Sequence, residues 1–252
     1  VRVAACLPLS LLLACAAPAT HAGTSPPASE TVAPVREASV KPGINDTWRD
    51  GDTKRLVRRL QSESREIWVH RARVVAAVAA RPGMVVADVG AGSGFLTLML
   101  AQAVGASGKV YALDINAGLL ANIAAEARES ELANVETMQT PEDHTPLAPG
   151  SVDLVFMCDA YHHFEYPRSM MRSIRAALRP GGELVLVELE RIPGKTSKHM
   201  LDHVRAGKEV FLAELLADGF ELVREEKVPE LAENYVLRLR KPADAGAATA
   251  AR

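Results

Sequence analysis

The chain has 252 residues, with Lys+Arg 29 against Asp+Glu 31 and a formal net charge of −2. A protein built mainly to hold nucleic acid carries a clear positive excess, so no nucleic-acid partner is expected. Hydrophobic residues at 48% and charged residues at 24% exclude wholesale disorder and collagen-like repeats. The three cysteines, Cys6, Cys15 and Cys158, supply no disulfide framework.

Arg2 is the only charge ahead of an apolar run over 3–13 that Pro8 and Ser10 interrupt. The run is too short to span a bilayer and has the length of a signal-peptide hydrophobic region. Small residues offer cleavage after Ala19 or Ala22. Leu12-Leu13-Ala14-Cys15 also resembles a bacterial lipoprotein signal, in which Cys15 becomes an acylated membrane tether. Both readings imply the cell envelope, periplasmic or lipid-anchored; a misassigned start, consistent with the initial Val1, implies the cytoplasm. The predicted organisation is a signal over 1–22, an Ala/Pro/Ser/Thr linker over 23–43, a helical lid over 44–81, the main domain over 82–242 and a disordered tail over 243–252.

Between Asp52 and Ala80, Leu56, Val57, Leu60, Ile67, Val74, Val75 and Val78 recur at helical spacing. Asp52 is placed to cap the start and Pro82-Gly83 to close the end, and one long helix or two shorter ones fit equally. Short β-rich runs follow at 84–89, 109–114, 135–138, 152–157, 183–187, 220–224 and 235–240. Helical stretches at 96–104, 117–130 and 168–178 separate the first five runs, with a less regular segment between the third and fourth; 208–217 precedes the sixth. This alternation implies βαβ units and a parallel sheet. The last two runs are joined by about ten residues, too few for a parallel crossover carrying a helix, so they pair as a hairpin. The expected fold is α/β: a doubly wound, mostly parallel seven-stranded sheet with an antiparallel last strand.

The most informative stretch is Val85-Val86-Ala87-Asp88-Val89-Gly90-Ala91-Gly92-Ser93-Gly94-Phe95. A strand enters a turn with three alternate glycines and leaves as a helix. Glycine allows a sharp turn and lets a ligand touch the main chain without Cβ atoms intervening. A dinucleotide fingerprint needs its third glycine one position later, where Phe95 stands, and the Gly-Lys-Ser/Thr of a P-loop is absent. Asp88 also argues against an anionic ligand, since a carboxylate there suits a cationic or hydroxyl-rich one. Asp114, at the end of the second strand, is placed to accept both hydroxyls of a ribose.

In these residues the sequence resembles the class I S-adenosylmethionine-dependent methyltransferases, over roughly 82–241. The resemblance implies a Rossmann-like methyltransferase fold with S-adenosyl-L-methionine as cofactor. It implies that Gly90, Ala91, Gly92 and Gly94 lie under the methionine and ribose and that Asp88 orients the cofactor's amino acid end. Asp114 then holds the ribose and Ile115 packs on the adenine. Glu142 or Asp143 is expected near the adenine amino group; two solvated loop carboxylates are the alternative.

Val152-Asp153-Leu154-Val155-Phe156-Met157-Cys158-Asp159-Ala160-Tyr161-His162-His163-Phe164 looks like the fourth-strand motif of ubiquinone/menaquinone-biosynthesis-type enzymes acting on small molecules. Open α/β sheets bind ligands at the carboxyl ends of their strands. His162 or His163 is therefore a candidate general base for a small-molecule acceptor, and Asp159 a contact to the cofactor's cationic end or an orienter of a histidine. The alternative is that one histidine caps the helix and the other packs beneath Phe164. Cys158 is read as a structural thiol whose backbone carbonyl faces the ligand, and no metal ligand set is assigned. Arg179-Pro180-Gly181-Gly182 is read as a helix-stopping turn. Glu188 and Glu190 line the acceptor pocket or are solvated charges. Trp48, Trp68 and His70, together with a basic flap over 191–208, are candidate substrate contacts. Two other functions fit: a catalytically inactive cofactor-binding envelope protein, and an NAD(P)-dependent reductase, which Asp88 and Phe95 disfavour.

Overall fold

The computed structural model describes residues 37–243 together with Val1. The signal segment, Cys6, the Cys15 tether, most of the linker and the tail from 244 lie outside the described residues.

Four short helices open the described chain: α1 (Asp46–Arg49), α2 (Thr53–Leu60), α3 (Glu66–Val69) and α4 (Arg71–Val78). Over 52–80 the helical period is broken twice, giving three helices where one long or two shorter ones were expected. Asp52 caps α2 by accepting from the Arg55 N–H at 2.8 Å. The last of the four ends earlier than Pro82-Gly83, at Ala79, whose backbone turns left-handed. There follow β1 (Val85–Val89), α5 (Phe95–Val104), β2 (Lys109–Asp114), α6 (Ala117–Glu129), β3 (Val135–Gln139) and β4 (Val152–Cys158). A 3-10 turn, Tyr161–His163, then leads to α7 (Pro167–Ala177), β5 (Leu178–Leu189), α8 (Lys198–His203), α9 (Lys208–Ala217), β6 (Glu221–Glu226) and β7 (Asn234–Arg240). No helix forms among the residues between β3 and β4.

The seven strands make one sheet in the order β3-β2-β1-β4-β5-β7-β6. The first five are parallel, and β7 runs antiparallel between β5 and β6, as the short last connection requires. Residues 179–182 are a correction: they do not stop the helix, which ends at Ala177, but bulge within β5. Val152 pairs with Leu178 and Leu154 already with Glu183, and Asp153 fastens the bulge by pairing with Arg179.

Strand alternation sends neighbouring residues to opposite faces. Ala87, Val155 and Leu186 pack with Met171, Ile174 and Phe211 of α7 and α9 on one face. Val86, Phe156 and Val185 pack with Val74, Val78 and Leu100 of α4 and α5 on the other. The strand order reverses between β1 and β4, and a crevice at the carboxyl edge of such a switch point is where this architecture takes ligands.

Arg238 of β7, only 3% exposed, ties the sheet to the helical layer. It donates to Glu226 and Glu183, each at 2.7 Å, and to the carbonyls of Ala77 and Val78 that end α4. Breaking a buried ion pair strands its partners. Arg238→Ala should cost about 2 to 3 kcal/mol in urea unfolding, and a loss within experimental error would remove this role.

Candidate functional site

A cavity of about 430 Å³ lies at the carboxyl edge of β1, β2 and β4. The glycine loop, the end of β4, and Asn45, Trp48, Leu60 and Arg65 of the N-terminal helical segment form its wall.

The loop is held by β2: the N–H groups of Gly90 and Ala91 both donate to the Leu113 carbonyl, at 2.8 and 2.9 Å. Gly90 adopts φ +77°, and a Cβ there would stand 2.5 Å from the Ala160 Cβ, so only glycine lets the loop lie against the end of β4. Gly90, Ala91 and Gly92 line the cavity, but Gly94 does not. A Cβ on Gly94 would meet Ile123 at 2.4 Å. This third glycine therefore admits close packing of α6 rather than contact with a ligand.

Asp88 is 2% exposed and lines the cavity. Its carboxylate accepts from the Thr97 hydroxyl at 2.6 Å. Burial raises its pKa to about 7, with Thr97 opposing and Asp114 adding to the rise. Asp114 accepts from the Gly92 N–H at 2.8 Å through one oxygen and from the Asn116 N–H at 2.9 Å through the other. The Ile115 N–H also acts on this carboxylate, which has about four acceptor positions in all, and burial lifts it too. Ile115 and Glu142 also reach the cavity wall. Arg49 and Asn45 hold Glu142. Asp143 instead pairs with His144 and stands outside the lining.

Cys158 lines the cavity, and burial pushes its thiol well up, which keeps it protonated. Asp159 takes a left-handed backbone at φ 49°, a conformation Asp tolerates better than most residues. Its side chain accepts from Arg65 and from Asn234. Burial raises its pKa against the opposing pull of Arg65. The carboxylate that orients His162 is Glu188 rather than Asp159. Glu188 is fully buried within β5, because that strand continues to Leu189. Its Oε1 lies 2.7 Å from His162 Nδ1, and its Oε2 accepts the His162 backbone N–H at 3.2 Å.

His162 and His163 occupy the 3-10 turn, and both line the cavity. Phe164 stacks edge-on against Tyr161. Trp48 meets His163 edge-on at 5.4 Å between ring centroids. His203 comes from α8, a helix that sequence periodicity missed because the 191–208 connection is polar and the helix has six residues. Burial lowers His163 to about 2 and His203 to about 4, so both imidazoles are neutral at physiological pH. Glu190 pairs with Lys208, while Trp68 and His70 stand outside the cavity lining.

Residues 87–186 match a family model described as a methyltransferase domain. Among curated proteins, the chain is 34% identical over 111 residues to a ubiquinone biosynthesis O-methyltransferase of Sodalis glossinidius, covering 44% of this chain and 43% of that one. It is 30% identical over 137 residues to a ubiquinone/menaquinone biosynthesis C-methyltransferase of Shewanella frigidimarina, covering 53% of each. The chain thus spans about half the length of these relatives. Among solved structures, a SAM-dependent methyltransferase from Aquifex aeolicus aligns with TM-score 0.66 and 23% identity, over 75% of this chain and 98% of that one. The fold is the one seen in that S-adenosylmethionine-dependent methyltransferase, and residues 87–186 are similar to the methyltransferase-domain family.

Asp88 gives a direct test of the site's electrostatics. Its folded pKa of about 7 lies above the ordinary 3.8, so the folded state holds a proton that the unfolded chain releases. Stability therefore falls as pH rises through that window and is level above it. Asp88→Asn removes the loss while retaining an acceptor for Thr97. Its stabilisation should grow from pH 4 to pH 7, approaching ~4 kcal/mol, and then stay constant. A variant whose advantage is independent of pH would contradict the assignment.

Proposed function

We propose that this protein transfers the methyl group of S-adenosylmethionine to a small-molecule acceptor. The observation that carries the proposal is one cavity lined by the bare main chain of Gly90 and Gly92, by the buried carboxyls of Asp88 and Asp114, and by the imidazoles of His162, His163 and His203. Its residues fit a nucleoside with a cationic amino acid arm. Gly90 and Gly92 present backbone without Cβ atoms, and Ser93 Oγ is buried with no partner. Asp88 stands in the cavity wall with its carboxyl lifted by burial, to which the nearby Asp114 adds. Asp114 offers its remaining lone pairs to ribose hydroxyls, and Ile115 offers an apolar surface to the base.

The cofactor supplies a methyl group already activated on a sulfonium. The protein's own task is to orient the acceptor, exclude water and manage one proton. Without a bound ion, the better-placed base is His162: Glu188 fixes its Nδ1–H and stabilises the imidazolium, leaving Nε2 to accept. His163, held to a pKa of about 2, is too weak a base to keep a proton. The acceptor class to test first is a hydroxylated ring of the quinone-precursor type, following the names of the relatives. Export, with acylation of Cys15 or cleavage after Ala19 or Ala22, belongs to the same proposal; the mass of the mature N-terminus from fractionated cells tests it.

Calorimetry with S-adenosylmethionine should show one site per chain. Asp114→Ala should weaken it at least about tenfold, the scale of a lost pair of charge-assisted hydrogen bonds. Because the cation binds the ionised form of Asp88, wild-type affinity should fall as pH drops below about 7, by up to about tenfold per unit. Unchanged affinity in the Asp114 variant would remove the ribose assignment. A pH-independent affinity would remove the role of Asp88. Release of S-adenosylhomocysteine with hydroxylated aromatic acceptors tests turnover, and binding without turnover on any acceptor would favour a non-catalytic binding protein.

A further inference from the structure

The imidazole end of the cavity has more ligand atoms than a single proton transfer uses. Atoms of His162, His163 and His203 that can ligate a metal lie within 4.8 Å of one another. The ring centroids are 4.3 Å apart for His162–His163, 5.0 Å for His162–His203 and 4.9 Å for His163–His203. The rings come from two separate places in the fold, the turn after β4 and the end of α8. Buried polar atoms are normally paired, yet His163 Nδ1 is buried with no partner. Glu188, fully buried, holds His162 Nδ1 at 2.7 Å. A carboxylate behind an imidazole is the arrangement that fixes the tautomer of a metal-bound histidine and raises its basicity.

We propose that His162, His163 and His203 bind one divalent transition-metal ion of the zinc type, leaving a coordination position open to the cavity. Three imidazoles suit zinc, cobalt or nickel rather than the oxygen-seeking magnesium or calcium, and three protein ligands with one open position is the pattern of a catalytic zinc. Zinc–nitrogen bonds of 2.0–2.1 Å require ligand nitrogens about 3.3 Å apart. The widest separation therefore closes by about 1.5 Å on binding, within reach of side-chain rotation at the end of the six-residue α8. Glu188 compensates part of the added charge. Lys41, held on the carbonyls of Asp202 and His203, and Arg59, stacked on Trp48, oppose it, which favours an acceptor that binds as an anion.

This inference rests on methyl transfer in the same cavity and assigns the acceptor class there: a hydroxyl compound whose oxygen takes the open position. The ion lowers the hydroxyl's pKa, and its proton leaves to solvent. The oxygen then forms a C–O bond with the methyl group as the C–S bond breaks, its electron pair staying on sulfur. With the ion bound, the lone pair of His162 is a ligand and no longer a base.

The test uses the full chain, stripped with a chelator and titrated with Zn²⁺ or Co²⁺, reading metal per chain and the visible bands of tetrahedral cobalt. About one ion per chain is expected. His203→Gln should weaken binding about a hundredfold or more, and Glu188→Gln about tenfold. His70→Ala, outside the cavity, should change nothing, and circular dichroism checks that each variant folds. S-adenosylmethionine affinity, measured on the stripped protein, should be unaltered by His203→Gln. Absence of stoichiometric metal, or cobalt bands that persist in His203→Gln, overturns the metal site while leaving cofactor binding standing. Loss of cofactor binding by the stripped wild type would instead count against the methyl-transfer proposal.

Discussion

The site depends on a carboxyl group buried in the cavity wall, with a hydroxyl as its partner and a second carboxyl nearby. Asp88 stands one residue before the end of β1, at the edge where the strand order reverses, and burial there lifts its pKa to about 7. Such a group is costly to the fold. It is tolerated because the rest of the structure over-determines its position. The Thr97 hydroxyl binds it, the Leu113 carbonyl of β2 holds the loop that follows it, and Gly90 allows that loop to lie against Ala160.

The same cavity is lined by His162, His163 and His203. Their rings pack together, and the buried Glu188 carboxylate anchors His162. Helical elements before β1 and after β5 complete the walls, so residues far apart in the chain meet around one volume. The Arg65–Asp159 pair and Asn234 fasten that closure to the end of β4.

Much of this was legible in the sequence because it rests on local rules. Alternating apolar runs placed all seven strands, and the short 226–234 connection determined that β7 pairs antiparallel. Asp88, the glycines and Asp114 were readable from their spacing on a strand–turn–helix unit. What escaped depended on distant contacts. Glu188 could be pocket or solvent until β5 was seen to run on past it, burying the carboxylate against His162. His203 gave no signal of its own, since only the folding-back of α8 brings it to the turn after β4. Gly94 was grouped with its neighbours by spacing, although packing against Ile123 turns it to a structural task. Residues 179–182 read as a turn by composition, and strand pairing on both sides absorbed them as a bulge.

The most direct measurement is diffraction from crystals of the full chain grown with S-adenosylhomocysteine. Density for the nucleoside should lie along Gly90–Gly92, with the ribose hydroxyls on Asp114 and the ammonium of the amino acid arm near Asp88. A cavity without density, or the nucleoside bound elsewhere on the surface, would contradict the account.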